Sequence, residues 1–71
     1  MVDNSVYRIT ELVGTSEKSF EEAIKNVIDT ASKTLRDLRI AEVTKLDVKI
    51  EDGKIVAYRA RVLLSFKYEK E

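Results

Sequence analysis

Alternating apolar and polar residues in the second half of the chain predict a long β-hairpin, from roughly Leu38 to Glu69. Its arms, about Arg39 to Glu51 and Lys54 to about Lys67, are rich in β-branched residues and meet at Asp52-Gly53, a pair that favours a tight hairpin turn. At ~3.3 Å per residue each arm reaches roughly 40–45 Å, whereas a compact globule of this size is only about 30 Å across. We therefore expect the arms to overhang their own fold and to pack against other copies of the chain.

The first half of the chain predicts a short strand followed by an amphipathic helix. The strand covers Val6 to Val13, and Gly14-Thr15-Ser16 is expected to break it. Ser19 then has the position of a helix N-cap, with the Glu22 side chain reaching back to it in a capping box. One apolar stripe with a period of about 3.6 residues predicts a helix roughly 28 Å long; its members are Phe20, Ala23, Ile24, Val27, Ile28, Ala31, Leu35 and Leu38.

The resulting β-α-β-β order predicts an α+β fold of a single domain over residues 1–71. A strand, a helix and a second strand in one sheet imply a right-handed crossover. The hairpin then makes the third strand antiparallel to its neighbours, in the sheet order 1-3-2. We expect a three-stranded antiparallel sheet with the helix lying across one face.

The register of the hairpin predicts an apolar face that changes sides halfway along the arms. A two-residue turn sets Glu51 opposite Lys54 and Arg59 opposite Leu46. Far from the turn the apolar residues then share the face suited to the helix, and near the turn they lie on the other face, where exposure marks an association surface. A bulge near Thr44 or Lys45 is the alternative, because it shifts the register. The two groups are Ala41, Val43, Val62, Leu64 and Phe66, and Leu46, Val48, Ile50, Ile55 and Ala57.

Composition narrows the function classes. The chain has neither cysteine nor histidine, so it lacks disulfides, thiolate metal ligands and the commonest general base. Its 13 basic and 13 acidic residues cancel and are interspersed, which disfavours a nucleic-acid or anionic membrane surface. With no signal-peptide pattern and no bilayer-spanning apolar run, these features predict a soluble cytoplasmic protein that is not an enzyme.

The ensemble of motifs resembles the dodecins, a family of small flavin-binding proteins with this element order. The resemblance implies a homododecameric hollow shell that binds or stores a small ligand between subunits, which explains an overlong hairpin in so small a chain. The Gly14-Thr15-Ser16 turn and the Ala31–Arg36 stretch carry it most specifically. The other matching segments are Val6-Tyr7-Arg8, Glu11-Leu12-Val13, Ser19–Ile24, Glu42-Val43, Ile50–Lys54 and Ser65-Phe66-Lys67.

The resemblance also implies where a flavin such as riboflavin or FMN would bind. Dodecins typically stack a tryptophan of the second strand on the flavin ring, and Ile40 has that position here, or Ala41 if the alignment slips by one. They also contact the polar edge of the ring through a glutamine, and Arg59 has that position. Ile40 offers area without a π face, and an arginine donates but does not accept hydrogen bonds. The family's flavin contacts are therefore reduced.

The sequence leaves two interpretations open for each of three candidate sites. Ile40 and Arg59 share a face but lie roughly 20 Å apart, so they form one site only between subunits; otherwise Ile40 packs in an interface and Arg59 pairs with an acidic neighbour. Some dodecin-like proteins are thought to bind calcium, and Asp47 is the candidate ligand, multiplied by symmetry; otherwise it is solvated or salt-bridged. Gly14-Thr15-Ser16 either caps the helix or seats an anion.

Overall fold

The computed structural model describes residues 6–67 and confirms the β-α-β-β order. The elements are β1 (Tyr7–Ser16), α1 (Phe20–Ala31), β2 (Leu38–Glu51) and β3 (Lys54–Lys67). The strands form a sheet of order β1-β3-β2, in which β3 is antiparallel to both neighbours. The predicted fold class and sheet order are therefore correct.

Over the described residues the hairpin is as long as the alternating pattern predicts; its predicted end at Glu69 lies outside them. Asp52 and Gly53 have φ angles of 52° and 73°, the left-handed values that a type I′ turn needs at both central residues, and Glu51 lies opposite Lys54. The molecule measures 51 × 23 × 16 Å, with a radius of gyration of 14.6 Å, whereas about 11 Å is expected of a compact chain of this length. The arms overhang the rest of the fold.

The core lies where α1 crosses β1 and β3, and it is built largely from small side chains. Small residues let the helix approach the sheet closely, and Gly14 lies at the tightest point. A Cβ atom at Gly14 would overlap the carbonyl oxygen of Ala23 and the Cγ2 atom of Val27. Because α1 lies mainly over β1 and β3, it leaves much of β2 uncovered. The buried residues are Ala23, Val27, Ala31, Ala60, Val62 and Leu64.

The predicted break at Gly14-Thr15-Ser16 is wrong, because β1 continues through these residues. Gly14, Thr15 and Ser16 pair with Ala60, Arg59 and Tyr58 of β3. Pairing with a long neighbouring strand outweighs the weak strand preference of glycine and serine. The glycine serves the close approach of the helix instead of a turn.

The helix is shorter than its apolar stripe predicts, since it ends at Ala31. The Ser32 hydroxyl donates to the carbonyl oxygen of Ile28 at 2.7 Å, a local bond by which serine competes with the helical pattern. The chain then turns tightly, with Asp37 at a φ of 57°. Leu35 and Leu38 belong to the connection and the start of β2, yet both pack against the core. Leu35 and Leu38 therefore continue the apolar stripe of the sequence after the helix itself has ended.

The predicted change of apolar side is wrong for Leu46 and Val48 of β2, and the bulge considered as its alternative is the reason. The β2–β3 register shifts between Val43 and Lys45, so that Leu46 faces Ala60 and Val48 faces Tyr58. Opposed residues share a face, so Leu46 and Val48 return to the helix side, whereas Ala57 stays on the opposite face with Arg59. Thr44, which the pairing skips, donates its hydroxyl to the carbonyl oxygen of Arg61 at 3.2 Å.

The start of α1 is capped, although not quite as the capping box predicts. The Ser19 Oγ accepts the Glu22 N–H at 3.0 Å, as expected. The Glu22 carboxylate instead accepts the Ser16 hydroxyl at 2.5 Å, and the Ser16 Oγ accepts the N–H groups of Lys18 and Ser19 at 2.9 and 3.3 Å. These N–H groups already have protein acceptors, which favours capping over an anion seat.

Candidate functional site

The face of the sheet turned away from α1, here called the outer face, carries both predicted flavin positions. Ile40 lies opposite Ser65, and Arg59 lies opposite Asp47 and Thr15. Ser65 and Arg59 are six residues apart on one strand, which corresponds to about 20 Å. One copy of the chain therefore presents Ile40 and Arg59 on a common face without bringing them together.

Arg59 and Asp47 form a two-pronged ion pair on the outer face. The Nε of Arg59 donates to Oδ1 of Asp47 at 2.7 Å, and Nη2 donates to Oδ2 at 3.1 Å. This planar fork is the strongest geometry that a carboxylate and a guanidinium adopt. The register predicted from sequence alone set Arg59 against Leu46; the bulge at Thr44 replaces Leu46 by Asp47. The alternative in which Arg59 pairs with an acidic neighbour is the one that the geometry matches.

The side chains of Asp47 and Arg59 are both ionised at neutral pH. The hydrogen bond from Arg59 is the main cause that lowers the pKa of Asp47 below its usual value; desolvation opposes it, and the charges of Arg59 and Arg61 lower the pKa further. The same hydrogen bond and the carboxylate charge raise the pKa of Arg59. Both shifts favour the ionised forms, so the fork persists at neutral pH and weakens only as acid protonates Asp47.

Charged side chains lie on both sides of this pair along the strands. Lys45 lies opposite Arg61, and Nη1 of Arg61 lies 3.4 Å from a carboxylate oxygen of Glu11. Thr15 flanks Arg59 on β1, and Ala57 lies two residues away on the same face. Two positive side chains, Lys45 and Arg61, thus lie next to each other on one side of the pair, and on the turn side the short Ala57 lies opposite Lys49.

Ile40 lies beside a hollow that is too small for a ring system of three fused rings. Its side chain is 61% exposed, and the hollow has a volume of about 170 Å³. Because Ile28 of α1 and the core residue Leu64 line it, the hollow lies at the helix side of the sheet and not on the outer face. Ligand pockets in proteins usually measure roughly 300–1,000 Å³. A flavin at this position needs a wall that this copy of the chain does not provide.

On the helix side of the sheet, β2 exposes an apolar stripe that α1 does not cover. It comprises Val43, Leu46 and Ile50, which are 38%, 51% and 61% exposed; the pairing of Val43 and Leu46 and the alternation along β2 put all three on this side. Hereafter it is called the β2 stripe. On the outer face Ile9, Val13 and Ile40 are also exposed. A single copy therefore leaves apolar surface open on both faces.

No metal centre is preformed within residues 6–67. No three acidic groups of this part of the chain lie close enough together to hold an ion. Asp47, the predicted calcium ligand, already has Arg59 as its cation, and Glu51 lies 3.5 Å from the ammonium group of Lys49. A calcium site built on Asp47 thus requires carboxylates from several copies, as the prediction assumed, and that assignment stays a prediction. In the same part of the chain, no helix is long and apolar enough to cross a membrane.

Sequence reasoning weighed Asp47 and Arg59 separately and missed that they form one unit. The signal for the pair was the possible bulge at Thr44, since a shift of one residue brings Asp47 opposite Arg59. The Ser16 hydroxyl, which links the end of β1 to the helix cap, was also missed. Its signal was a serine three residues before the N-cap, which is common in turns.

Comparisons with known proteins find a matching family model, related sequences and a solved structure with the same fold. The family model described as Dodecin matches residues 6–69. The chain is 32% identical over 63 residues to the calcium dodecin of Mycobacterium tuberculosis, covering 89% of each, and 37% identical over 65 residues to the dodecin of Thermus thermophilus, covering 92% of this chain and 94% of that one. The solved dodecin of Streptomyces coelicolor superposes with a TM-score of 0.91 at 38% identity, over 99% of this chain and all of that one.

Proposed function

Since this chain belongs to the dodecin family, we propose that it is a non-catalytic protein that binds and stores a small ligand inside a homododecameric shell, in the cytoplasm. The observation that carries the proposal is the apolar surface that one copy leaves open along the overhanging arms. The β2 stripe and the exposed apolar residues of the outer face form the kind of surface that marks an association site. Contact with other copies covers them.

The proposed ligand is a flavin, riboflavin or FMN, held between copies on the outer face. Ile40, which is 61% exposed on this face, supplies apolar contact area, and a second copy supplies the opposite wall of the site. The guanidinium of Arg59, fixed in one plane by Asp47, is a flat cation that stacks on aromatic rings. Without a tryptophan anywhere in the chain, binding is weaker than an aromatic partner would give.

Titration of riboflavin with the purified protein is the test. We expect partial quenching of riboflavin fluorescence by the wild type and tighter binding by Ile40→Trp, by about 2- to 10-fold, because stacking between aromatic rings adds about 0.5–1.5 kcal/mol. Ile55→Trp is the matched control, since Ile55 is similarly exposed but lies beside the turn, and it should bind like the wild type. Absence of quenching by both the wild type and Ile40→Trp contradicts the flavin assignment.

Calcium is the second candidate ligand, favoured by the similarity to the calcium dodecin of M. tuberculosis. Calcium takes about six to eight oxygen ligands, so the proposed site gathers Asp47 side chains and further oxygens from neighbouring copies. Each Asp47 must then exchange Arg59 for the metal. Binding to the folded state raises stability by about 2.7 kcal/mol at a hundredfold excess over the dissociation constant.

Thermal unfolding with and without calcium tests this second candidate. We expect calcium, and not an equal concentration of magnesium, to raise the midpoint of the wild type, and Asp47→Asn to lose that shift. Glu42→Gln, which removes one negative charge from the same face and strand, should keep it. An unchanged midpoint of the wild type in calcium rules out this candidate.

A further inference from the structure

We propose that the Asp52-Gly53 turn is a site of spontaneous covalent modification, at which the normal peptide bond converts to an isoaspartyl bond and the end of the hairpin opens. The amide nitrogen of Gly53 attacks the side-chain carboxyl carbon of Asp52, and a water molecule leaves as a succinimide ring closes. Water then opens the ring at either carbonyl carbon. One product restores Asp52; in the other, the main chain runs through the former side-chain carboxyl and the α-carboxylate becomes the side group. Water is released and taken up again, so the conversion needs no other reactant.

The amide nitrogen that attacks in this step is exposed and unhindered. Asp52 and Gly53 are both exposed, and no atom lies within 4 Å of the position that a Cβ of Gly53 would occupy. A glycine after the aspartate also lacks the side chain that in other residues crowds the approach of this nitrogen to the carboxyl carbon. The turn that the hairpin requires is thus built from the dipeptide in which ring closure is least obstructed.

The backbone around the turn opens more readily than the rest of the sheet. β1 ends at Ser16, opposite Tyr58, so between Tyr58 and the turn the arms form a ribbon of two strands. Two-stranded ribbons are only marginally stable on their own, and weakly supported segments open locally at low free energy. Asp52 also has a φ of 52°, a conformation that a residue with a side chain disfavours. Local opening therefore relieves the turn and lets the Gly53 nitrogen reach the carboxyl group.

Asp37 provides a comparison within the same molecule, because it is left-handed too, with a φ of 57°. Its carbonyl oxygen accepts the N–H of Lys67 at 3.2 Å, which ties this residue to β3. The residue that follows is Leu38, whose side chain packs against the core. Both aspartates therefore share the left-handed φ, but of the two only Asp52 is followed by an unhindered and weakly held residue.

The isoaspartyl bond is incompatible with the two-residue turn. A type I′ turn joins its strands through two residues of positive φ, and the conversion adds a methylene group to the main chain at the first of them. The pairs Glu51–Lys54 and Ile50–Ile55 next to the turn then lose their alignment. Ile50 is the member of the β2 stripe nearest the turn, so the loss reaches a surface that packs on other copies in the proposed function.

The experiment incubates the assembled protein for several weeks in warm neutral buffer made with heavy-oxygen water, followed by proteolysis and mass spectrometry of the peptides. Each cycle of ring closure and opening leaves one heavy oxygen atom in the product. We expect label and isoaspartate to accumulate at Asp52 and neither at Asp37. Asp52→Asn reaches the same ring by loss of ammonia and should convert several-fold faster. Gly53→Asn, which tolerates positive φ but carries a side chain, should convert several-fold more slowly at Asp52.

A wild type without label at Asp52 overturns the proposal, and conversion of Asp52→Asn under the same conditions then shows that the turn was accessible. Equal label at Asp37 and Asp52 also overturns it, because the reaction would then not depend on this turn. Hydrogen exchange of the modified fraction tests the structural consequence: we expect faster exchange over residues 50–55, and unchanged exchange contradicts the opening of the hairpin. These measurements involve no ligand, so their outcome is independent of the proposed function.

Discussion

Leu46→Glu is expected to reduce the assembled protein to single chains or small oligomers. Leu46 is 51% exposed in one copy, on the helix side of the sheet, and it is the central residue of the β2 stripe. Burying a leucine contributes about 1.5–3 kcal/mol, and a buried carboxylate without a partner costs several kcal/mol. In a closed shell every copy contains this interface, so the loss of association free energy is repeated in each copy. Light scattering or analytical ultracentrifugation measures the mass directly.

The matched control for this substitution is Lys25→Gln. It makes the same change of one unit in net charge at an exposed position of α1, away from the β2 stripe, and it should assemble like the wild type. Circular dichroism of the dissociated variant shows whether the chain still folds. Sedimentation of Leu46→Glu at the wild-type mass would mean that the β2 stripe is not an interface, and a monomeric wild type would contradict the shell itself.

The elements and their arrangement follow from local signals that tertiary packing does not override. Asp52-Gly53 determines the turn, since only residues that tolerate positive φ fit a type I′ hairpin. The apolar stripe from Phe20 to Ala31 determines which face of the helix is buried. With one crossover and one hairpin, the sheet order allows few alternatives, and the predicted order is the one found.

The predictions from sequence are wrong where two different local structures would bury the same apolar residues. Leu35 and Leu38 continue the helical spacing, yet they reach the core equally well from the connection to β2, so the pattern alone does not show where the helix ends. A bulge at Thr44 is likewise invisible to simple alternation. It becomes favourable because the apolar residues of β2 then stay on the helix side from Ala41 to Val48.

The candidate site depends on that same bulge. The positions of Ile40 and Arg59 follow from the resemblance, and both lie on the outer face as predicted. The partner of Arg59 does not follow, because a register in error by one residue exchanges Leu46 for Asp47. A pair of charged residues that only a bulge brings together leaves no spacing motif in the sequence. In the proposed function the rest of the ligand site comes from other copies, which no pattern within one chain describes.

Gly14→Ala is expected to destabilise the fold by about 3 kcal/mol, the upper part of the range for overpacked cores. The added Cβ meets the carbonyl oxygen of Ala23 and the Cγ2 atom of Val27. The carbonyl oxygen of Ala23 belongs to the backbone, so the overlap is relieved only when α1 moves away from β1. This movement loosens the core between the two elements. Urea unfolding at one fixed protein concentration measures the loss, because assembly makes apparent stability depend on concentration.

A double-mutant cycle with Val27→Ala shows whether this close approach is the cause. Val27→Ala alone should cost about 2 kcal/mol by leaving a cavity, but in combination it removes one of the two overlapping atoms. The double variant should therefore be more stable than the sum of the single losses predicts, by roughly 1 kcal/mol. Gly53→Ala is the contrasting control: its Cβ meets nothing within 4 Å, so its cost comes from the φ of 73° and should add independently to that of Val27→Ala. Additive losses for Gly14→Ala and Val27→Ala would place the role of this glycine in the strand itself, because the helix contact predicts coupling between them.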